Sequence, residues 1–204
     1  MSSGNTKPIF RIAVVGVGQV GAAAAYALIL GSIASELLLV DVKVDLRDGQ
    51  VRDLSDVAYS RNSGMRVRAA THREAGQCDI VVITAGSKYS IGKGSNVRKL
   101  INCCPEGASS YDFSGQTIIE HMYRNIATIR SAVKAMKPFR SDTILLVVAN
   151  PVDLLTSLAQ ELSGLPTSQV LGSGTFLDSV RLRGLLAAKA GVRTNNSYVF
   201  VQTR

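Results

Sequence analysis

Tryptophan is absent from this 204-residue chain, and six tyrosines and five phenylalanines bring its aromatic content to only 5%. Those rings are not interleaved with basic residues, so the stacking platform that single-stranded nucleic acid needs is missing. The net charge is +8, yet no long Lys/Arg run occurs. Scattered basic residues of this kind argue against a nucleic-acid partner. Long hydrophobic runs are lacking too. The apolar stretches Ile80–Ala85 and Ile144–Ala149 have the length of strands and are far too short to cross a bilayer, so no membrane partner is expected. Met1–Lys7 has neither an apolar signal core nor an Arg-rich amphipathic pattern, and residues 1–8 read as the loose tail of a cytoplasmic protein. Cysteine is scarce and odd in number at three, with Cys103 and Cys104 adjacent and Cys78 alone. That spacing fits no metal site and suggests reduced thiols. No internal repeat is visible.

What remains is an ordinary globular composition, 46% hydrophobic and 19% charged, in a chain long enough to bury a sizeable core. Its most informative segment is Arg11-Ile-Ala-Val-Val-Gly16-Val-Gly18-Gln-Val-Gly21. The apolar run Ile9–Val15 is expected to be a buried strand. Gly16 would make the tight turn after it, Gly18 would let the backbone approach a pyrophosphate, and Gly21 would let the next helix, Ala22–Leu30, pack closely. The amides at that helix's N-terminus and its dipole both favour an anion. A second strand, Leu38-Leu39-Val40-Asp41, ends in a carboxylate suited to accept from both ribose hydroxyls and to repel a 2′-phosphate. The predicted ligand is therefore NAD rather than NADP. A glycine-rich turn can also occur without any ligand, but strand, helix, second strand and terminal Asp together weigh against that reading.

Strands and helices alternate through the rest of the chain. Helices are expected at Leu46–Ser60, Ile118–Met136, Val152–Leu162 and Asp178–Ala190, the last stopped by Gly191. Strands are expected at Arg66–Thr71, Asp79–Thr84, Thr143–Ala149, Gln169–Leu171 and Ser197–Val201, with Asn150-Pro151 ending the fifth. The alternation predicts an α/β fold with a doubly wound parallel sheet of Rossmann type. One segment, Lys93–Gly115, breaks the pattern with Gly94, Pro105, Gly107 and Gly115 and no sustained period, as a functional lid or an intrusion would.

The chain resembles the L-lactate/malate dehydrogenase family, closer to its lactate branch, over nearly all of Ile9–Val199 outside Lys93–Gly115. The resemblance rests on Gly16–Gly21, Val40-Asp41-Val42, Ile83-Thr84-Ala85-Gly86, Tyr123-Arg124-Asn125, Val148–Asp153 and Gly172–Arg181, in that order. It implies an NAD-dependent oxidoreductase that moves hydride between NAD(H) and a small 2-hydroxy or 2-oxo acid. It also implies a Rossmann domain over residues 9–150 and the incomplete start of an α+β substrate domain over 151–204. Cofactor contacts fall by resemblance on Gly16, Gly18, Gln19, Val20, Gly21, Asp41, Thr84, Ala85, Gly86, Asn125 and Asn150. Asn150 would also orient the reacting oxygen, Arg181 would grip the substrate carboxylate with two prongs, and Asp178 would orient a catalytic histidine. From the residues alone, Asp178 and Arg181 read equally as an i, i+3 surface pair. Family members are usually dimers or tetramers, so the resemblance admits a homo-oligomer.

Several positions depart from the family pattern. Its histidine sits in a Gly-Glu-His-Gly segment, whereas this chain reads Phe200-Val-Gln-Thr-Arg204, so the sequence reads as truncated before the proton donor. His72 and His121 lack that motif's flanking residues and read as ordinary surface or half-buried histidines. Ile118 occupies the place of the loop arginine that polarises the carbonyl; Arg98 is a weak substitute. Tyr89 stands where a residue that sorts lactate from malate is expected. Removing Lys93–Gly115 restores a loop of family length, as a retained intron would explain. An inactive NAD-binding remnant is thus the alternative to an impaired enzyme, with an interaction protein as a third reading.

Overall fold

The computed structural model describes residues 9–87 and 118–193. The tail 1–8, Tyr89, the Lys93–Gly115 segment with Arg98, Cys103 and Cys104, and the strand expected at Ser197–Val201 lie outside the described residues. In chain order the elements are β1 (Arg11–Val15), α1 (Gln19–Leu30), β2 (Glu36–Val40), α2 (Val44–Ser60), β3 (Arg66–Ala69), α3 (His72–Ala75), β4 (Ile80–Ile83), α4 (Ile118–Met136), β5 (Ile144–Val147), α5 (Val152–Ser163), β6 (Val170–Gly172) and α6 (Phe176–Ala190). The six strands form one sheet in the order β3-β2-β1-β4-β5-β6, and every pairing in it is parallel. The chain starts in the middle, winds outward to β3, then crosses back to β4. This reversal beside β1 opens a crevice at the carboxyl ends of the central strands.

Side chains of successive strand residues point to opposite faces, and both faces here are covered, so the strands read as continuous apolar runs. Ile12, Val14, Leu37, Leu39 and Val82 pack with Ala25 and Ile29 of α1 and Leu54 and Ala58 of α2. Ala13, Val15, Leu38, Val40, Val81, Ile83, Leu145 and Val147 face the other way, against Ile129, Val133 and Met136 of α4 and Leu155 and Ala159 of α5. Each large side chain so buried contributes roughly 1.5–3 kcal/mol. At the amino-terminal edge, the Asp79 carboxylate accepts from the Arg11 N–H at 2.6 Å and pairs with Arg140. Buried Thr143 donates to the Cys78 carbonyl at 2.8 Å. Burial pushes the Cys78 thiol up to about 11, so it stays protonated and inert.

The expected ends shift where the sheet's edge, not hydrophobicity, limits a strand. Ile9 is 67% exposed, and the first strand begins at Arg11 rather than Ile9. α1 begins at Gln19, three residues before the predicted Ala22, because Gly18 already serves as its N-cap. β3 ends at Ala69 instead of Thr71, which caps a short helix that the periodicity did not reveal. In that capping box the Thr71 side chain accepts from the Glu74 N–H while the Glu74 carboxylate accepts from the Thr71 N–H at 2.8 Å. α4 occupies Ile118–Met136 as its spacing predicts. The parallel sheet also runs past the 150/151 boundary, since β6 pairs with β5 and buries Val170. Among the described residues no helix is long and apolar enough to cross a membrane, and no cluster of ligating side chains is placed to hold a metal.

Candidate functional site

The turn after β1 is built by close backbone contact. Gly16 has φ +94°, and a Cβ there would lie 2.5 Å from the Ala85 backbone; its N–H donates to the Val40 carbonyl at 2.7 Å. A Cβ on Gly21 would lie 2.0 Å from the Gly16 carbonyl oxygen. Both glycines therefore let α1 and the end of β4 close onto the turn. Gly18 differs, because a Cβ added there meets nothing within 4 Å. Its open side faces a cleft of about 340 Å³ lined by Gly18, Gln19, Val20, Gly21, Thr84, Gly86, Ser87, His121, Asn125, Val148, Ala149 and Asn150. That volume is within the range of small-molecule sites. α1 has no side-chain cap and no acidic residue in its first turn, so the positive end of the helix is left for an exogenous anion.

Asp41 lies just past β2, on the other side of the turn. Its Oδ2 accepts from the Val17 N–H at 2.8 Å and its Oδ1 from the Lys43 N–H at 2.9 Å. A carboxylate has about four lone-pair sites, so two remain for ribose hydroxyls. His72, first residue of α3, is half-buried; desolvation pulls its imidazole below the usual histidine range, and the Asp41 charge opposes that. An open space at Gly18, an uncapped helix start and a half-used carboxylate suit a diphosphate flanked by a ribose. The residues present therefore fit a dinucleotide.

The far wall of the cleft is organised by Asn125, a polar side chain only 1% exposed. Its Oδ1 accepts from the Ser87 N–H at 2.7 Å and the Ser87 hydroxyl at 3.0 Å, while its Nδ2 donates to the Asn150 carbonyl at 2.6 Å. One amide thus joins the loops after β4 and β5 to α4. One turn earlier on α4, His121 Nε2 lies 2.7 Å from the Ser87 carbonyl. It is half-buried, as the sequence suggested, but it has a partner and it lines the cleft. Ser87 and His121 were not singled out as site residues. The i, i+4 spacing of His121 and Asn125 on α4 was the available signal.

Of the residues assigned by resemblance, Gly18, Gln19, Val20, Gly21, Thr84, Gly86, Asn125 and Asn150 converge on the cleft. Gly16 and Ala85 are packed against each other behind it, and Asp41 does not line it but is bonded to the turn through Val17. Asp178 and Arg181 do not line it. Both are exposed on α6, and among the described residues no ion pair joins them.

Comparison with known proteins gives a consistent result. The family model described as lactate/malate dehydrogenase, NAD binding domain, matches residues 10–102 and 108–172, so its break falls inside the Lys93–Gly115 segment. L-lactate dehydrogenase A of Rhizopus oryzae is 42% identical over 191 residues, which is 94% of this chain and 52% of the relative. L-lactate dehydrogenase of Acetivibrio thermocellus is 32% identical over 203 residues, 97% of this chain and 55% of the relative. The solved minor L-lactate dehydrogenase of Enterococcus mundtii superimposes with a TM-score of 0.75 at 31% identity, covering 93% of this chain and 53% of that one. Malate dehydrogenase of Salinibacter ruber shares the fold with a TM-score of 0.73 at 23% identity. The chain spans about half the length of the curated relatives it matches. With its sheet order, glycine turn and terminal Asp41 all in place, the chain belongs to the lactate/malate dehydrogenase family and carries that family's NAD-binding domain.

Proposed function

We propose that this chain is the cofactor-binding part of an NAD-dependent dehydrogenase of the L-lactate type, which exchanges hydride between NAD(H) and a small 2-hydroxy or 2-oxo acid. The single observation that carries the reading is the cleft running from the open side of Gly18 to Asn150. The α1 amides would hold the diphosphate and Asp41 the adenosine ribose. The remaining half of the dinucleotide would then lie along Thr84, Gly86, Ser87 and Asn150. When bound, the nicotinamide supplies or accepts the hydride. The chain's own contribution is orientation. Asn125 fixes the two loops that form the far wall, and the Asn150 side-chain amide would direct the nicotinamide and the reacting oxygen. In the same reading Arg181 binds the substrate carboxylate and Asp178 orients a proton-donating histidine. A homo-oligomer and a cytoplasmic location belong to it as well.

A second reading, an NAD-binding module without turnover, is favoured by the position of Asp178 and Arg181 on α6, away from the cleft lining. One experiment separates the two. Purified chain is titrated with NADH and with NADPH by cofactor fluorescence, and pyruvate is then added while NADH consumption is followed. NADH binding in preference to NADPH with turnover supports the enzyme, and binding without turnover supports the module. A folded chain that binds neither dinucleotide refutes both.

A further inference from the structure

The peptide that joins Gly16 to Val17 is held at both ends, from opposite flanks of β1. Its carbonyl accepts from the hydroxyl of Thr84, just past β4, at 2.5 Å, and its N–H donates to Oδ2 of Asp41, just past β2, at 2.8 Å. A trans peptide is planar and its C=O and N–H point in opposite directions, so the two bonds together fix its rotation. Gly16, at φ +94° and without a Cβ, offers little resistance of its own to a turn of that plane.

The Thr84 hydroxyl has one hydrogen to give. The Val15 carbonyl, a second acceptor 3.3 Å away, already takes the Thr84 and Ala85 N–H groups at 2.9 Å each. The hydroxyl hydrogen therefore goes to Gly16. Polarising that carbonyl strengthens the same peptide's N–H as a donor to the carboxylate. A chain of hydrogen bonds thus runs from Thr84, which lines the cleft, to Asp41, which does not.

Resting on the dinucleotide reading above, we propose that Thr84 is a positioning residue for cofactor choice: through the Gly16–Val17 peptide its hydroxyl holds the Asp41 carboxylate where it favours an unphosphorylated ribose over a 2′-phosphorylated one. Without the hydroxyl the peptide rotates, the Val17 N–H leaves Oδ2, and the carboxylate keeps only the Lys43 N–H. Anything Thr84 touches directly in the cleft is common to NADH and NADPH. The ratio of their affinities therefore reads the effect on Asp41 alone.

The test compares the native full chain with Thr84→Val, which keeps the shape without the hydroxyl, and Thr84→Ser, which keeps the hydroxyl. Calorimetric titration measures NADH, and NADPH by competition against it. Thr84→Val is expected to narrow the preference for NADH about three- to tenfold, chiefly by weakening NADH, while Thr84→Ser stays native. Amide hydrogen exchange on the free protein gives a second readout. Val17 should exchange about three- to tenfold faster in Thr84→Val, whereas the Gly16 N–H, bonded to the Val40 carbonyl, should not change. The inference is overturned if Thr84→Val leaves the preference unchanged or weakens both dinucleotides in parallel, if Thr84→Ser behaves like Thr84→Val, or if the Val17 and Gly16 amides change together. Should Thr84→Val fail to melt cooperatively, Thr84→Ala carries the same comparisons. A folded native chain that binds neither dinucleotide overturns the underlying reading, and the exchange of Val17 then still decides whether Thr84 holds the peptide.

Discussion

Three glycines within six positions carry three different physical duties, and alanine substitution separates them. At Gly18 the backbone has φ −66° and ψ −165°, open to any residue, and a Cβ meets no protein atom within 4 Å. Replacing a helix N-cap Gly by Ala costs about 0.5–1 kcal/mol, which for a chain of this size lowers Tm by roughly 1–4 °C. At Gly21 alanine gains about 1 kcal/mol of helix propensity. Its Cβ, however, would sit 2.0 Å from the Gly16 carbonyl oxygen, a backbone atom that cannot swing aside. Overpacking of this kind reaches about 3 kcal/mol, so the net loss is about 2 kcal/mol and the Tm falls by roughly 4–8 °C. Gly16→Ala adds a strained φ of +94° to a 2.5 Å contact with the Ala85 backbone and should be worse. Binding should show a different order. Gly18→Ala puts a methyl group into the space a diphosphate would fill and should weaken NADH at least about tenfold, or about 1.4 kcal/mol. Thermal melts and NADH fluorescence on the three variants measure both effects. Gly18→Ala binding NADH like the native chain, or melting as low as Gly21→Ala, would refute this division of labour.

Asn125→Ala should leave Ser87 and Asn150 without their shared partner; at about 1–3 kcal/mol for each buried polar group unpaired, the Tm should fall measurably and NADH affinity with it, as melts and titrations will show. Burial pushes the Asp79 carboxyl up, but the Arg11 N–H and the Arg140 guanidinium outweigh it and leave it below the usual range. Glu74, bonded first by the Thr71 N–H and then by Arg68, is lowered from 4.5 to about 2. A depressed folded value means that both groups contribute their full stability above the ordinary carboxylate range and lose it as pH falls through the folded value. The Tm should therefore drop on acidification from about pH 4.5 toward 2. The half-exposed Glu74 should contribute no more than about 1 kcal/mol of this after solvent screening. Asp79→Asn should flatten part of that acid slope, and an unchanged slope would refute the assignment.

Sequence periodicity located the core because both faces of the sheet are covered. A run such as Leu37–Val40 must be apolar throughout when its alternate residues enter two separate cores. The same uniformity hid the strand ends. Nothing in Ile9-Phe10 tells a reader that the partner strand stops opposite Arg11, which is a fact of register. α3 was missed although Thr71 and Glu74 spell a capping box, because four residues are too few to show a helical period. The glycine turn and the place of Asp41 after β2 were legible because both rest on backbone geometry common to the motif. His121 was not, since its partner is a backbone carbonyl on another loop, and a carbonyl leaves no mark on the residue type at position 87. Asp178 and Arg181 were assigned from resemblance alone, and both lie exposed on α6, outside the cleft lining among the described residues.

The carboxylate of Asp41, proposed above to hold the adenosine ribose, also fastens the glycine turn through Val17. On the proposed reading, cofactor preference and the shape of the phosphate loop are therefore written in one side chain. Changing this protein to accept a phosphorylated ribose cannot be done by removing that carboxylate, because the Val17 amide then loses its acceptor and the loop loosens under any ligand. An uncharged replacement such as Asn keeps one oxygen for Val17 or Lys43 but turns an NH2 toward the other backbone N–H, and a new cation must come from elsewhere. On the proposed reading, the route to the other coenzyme therefore needs two coordinated changes, one that keeps the turn fastened and one that supplies the cation.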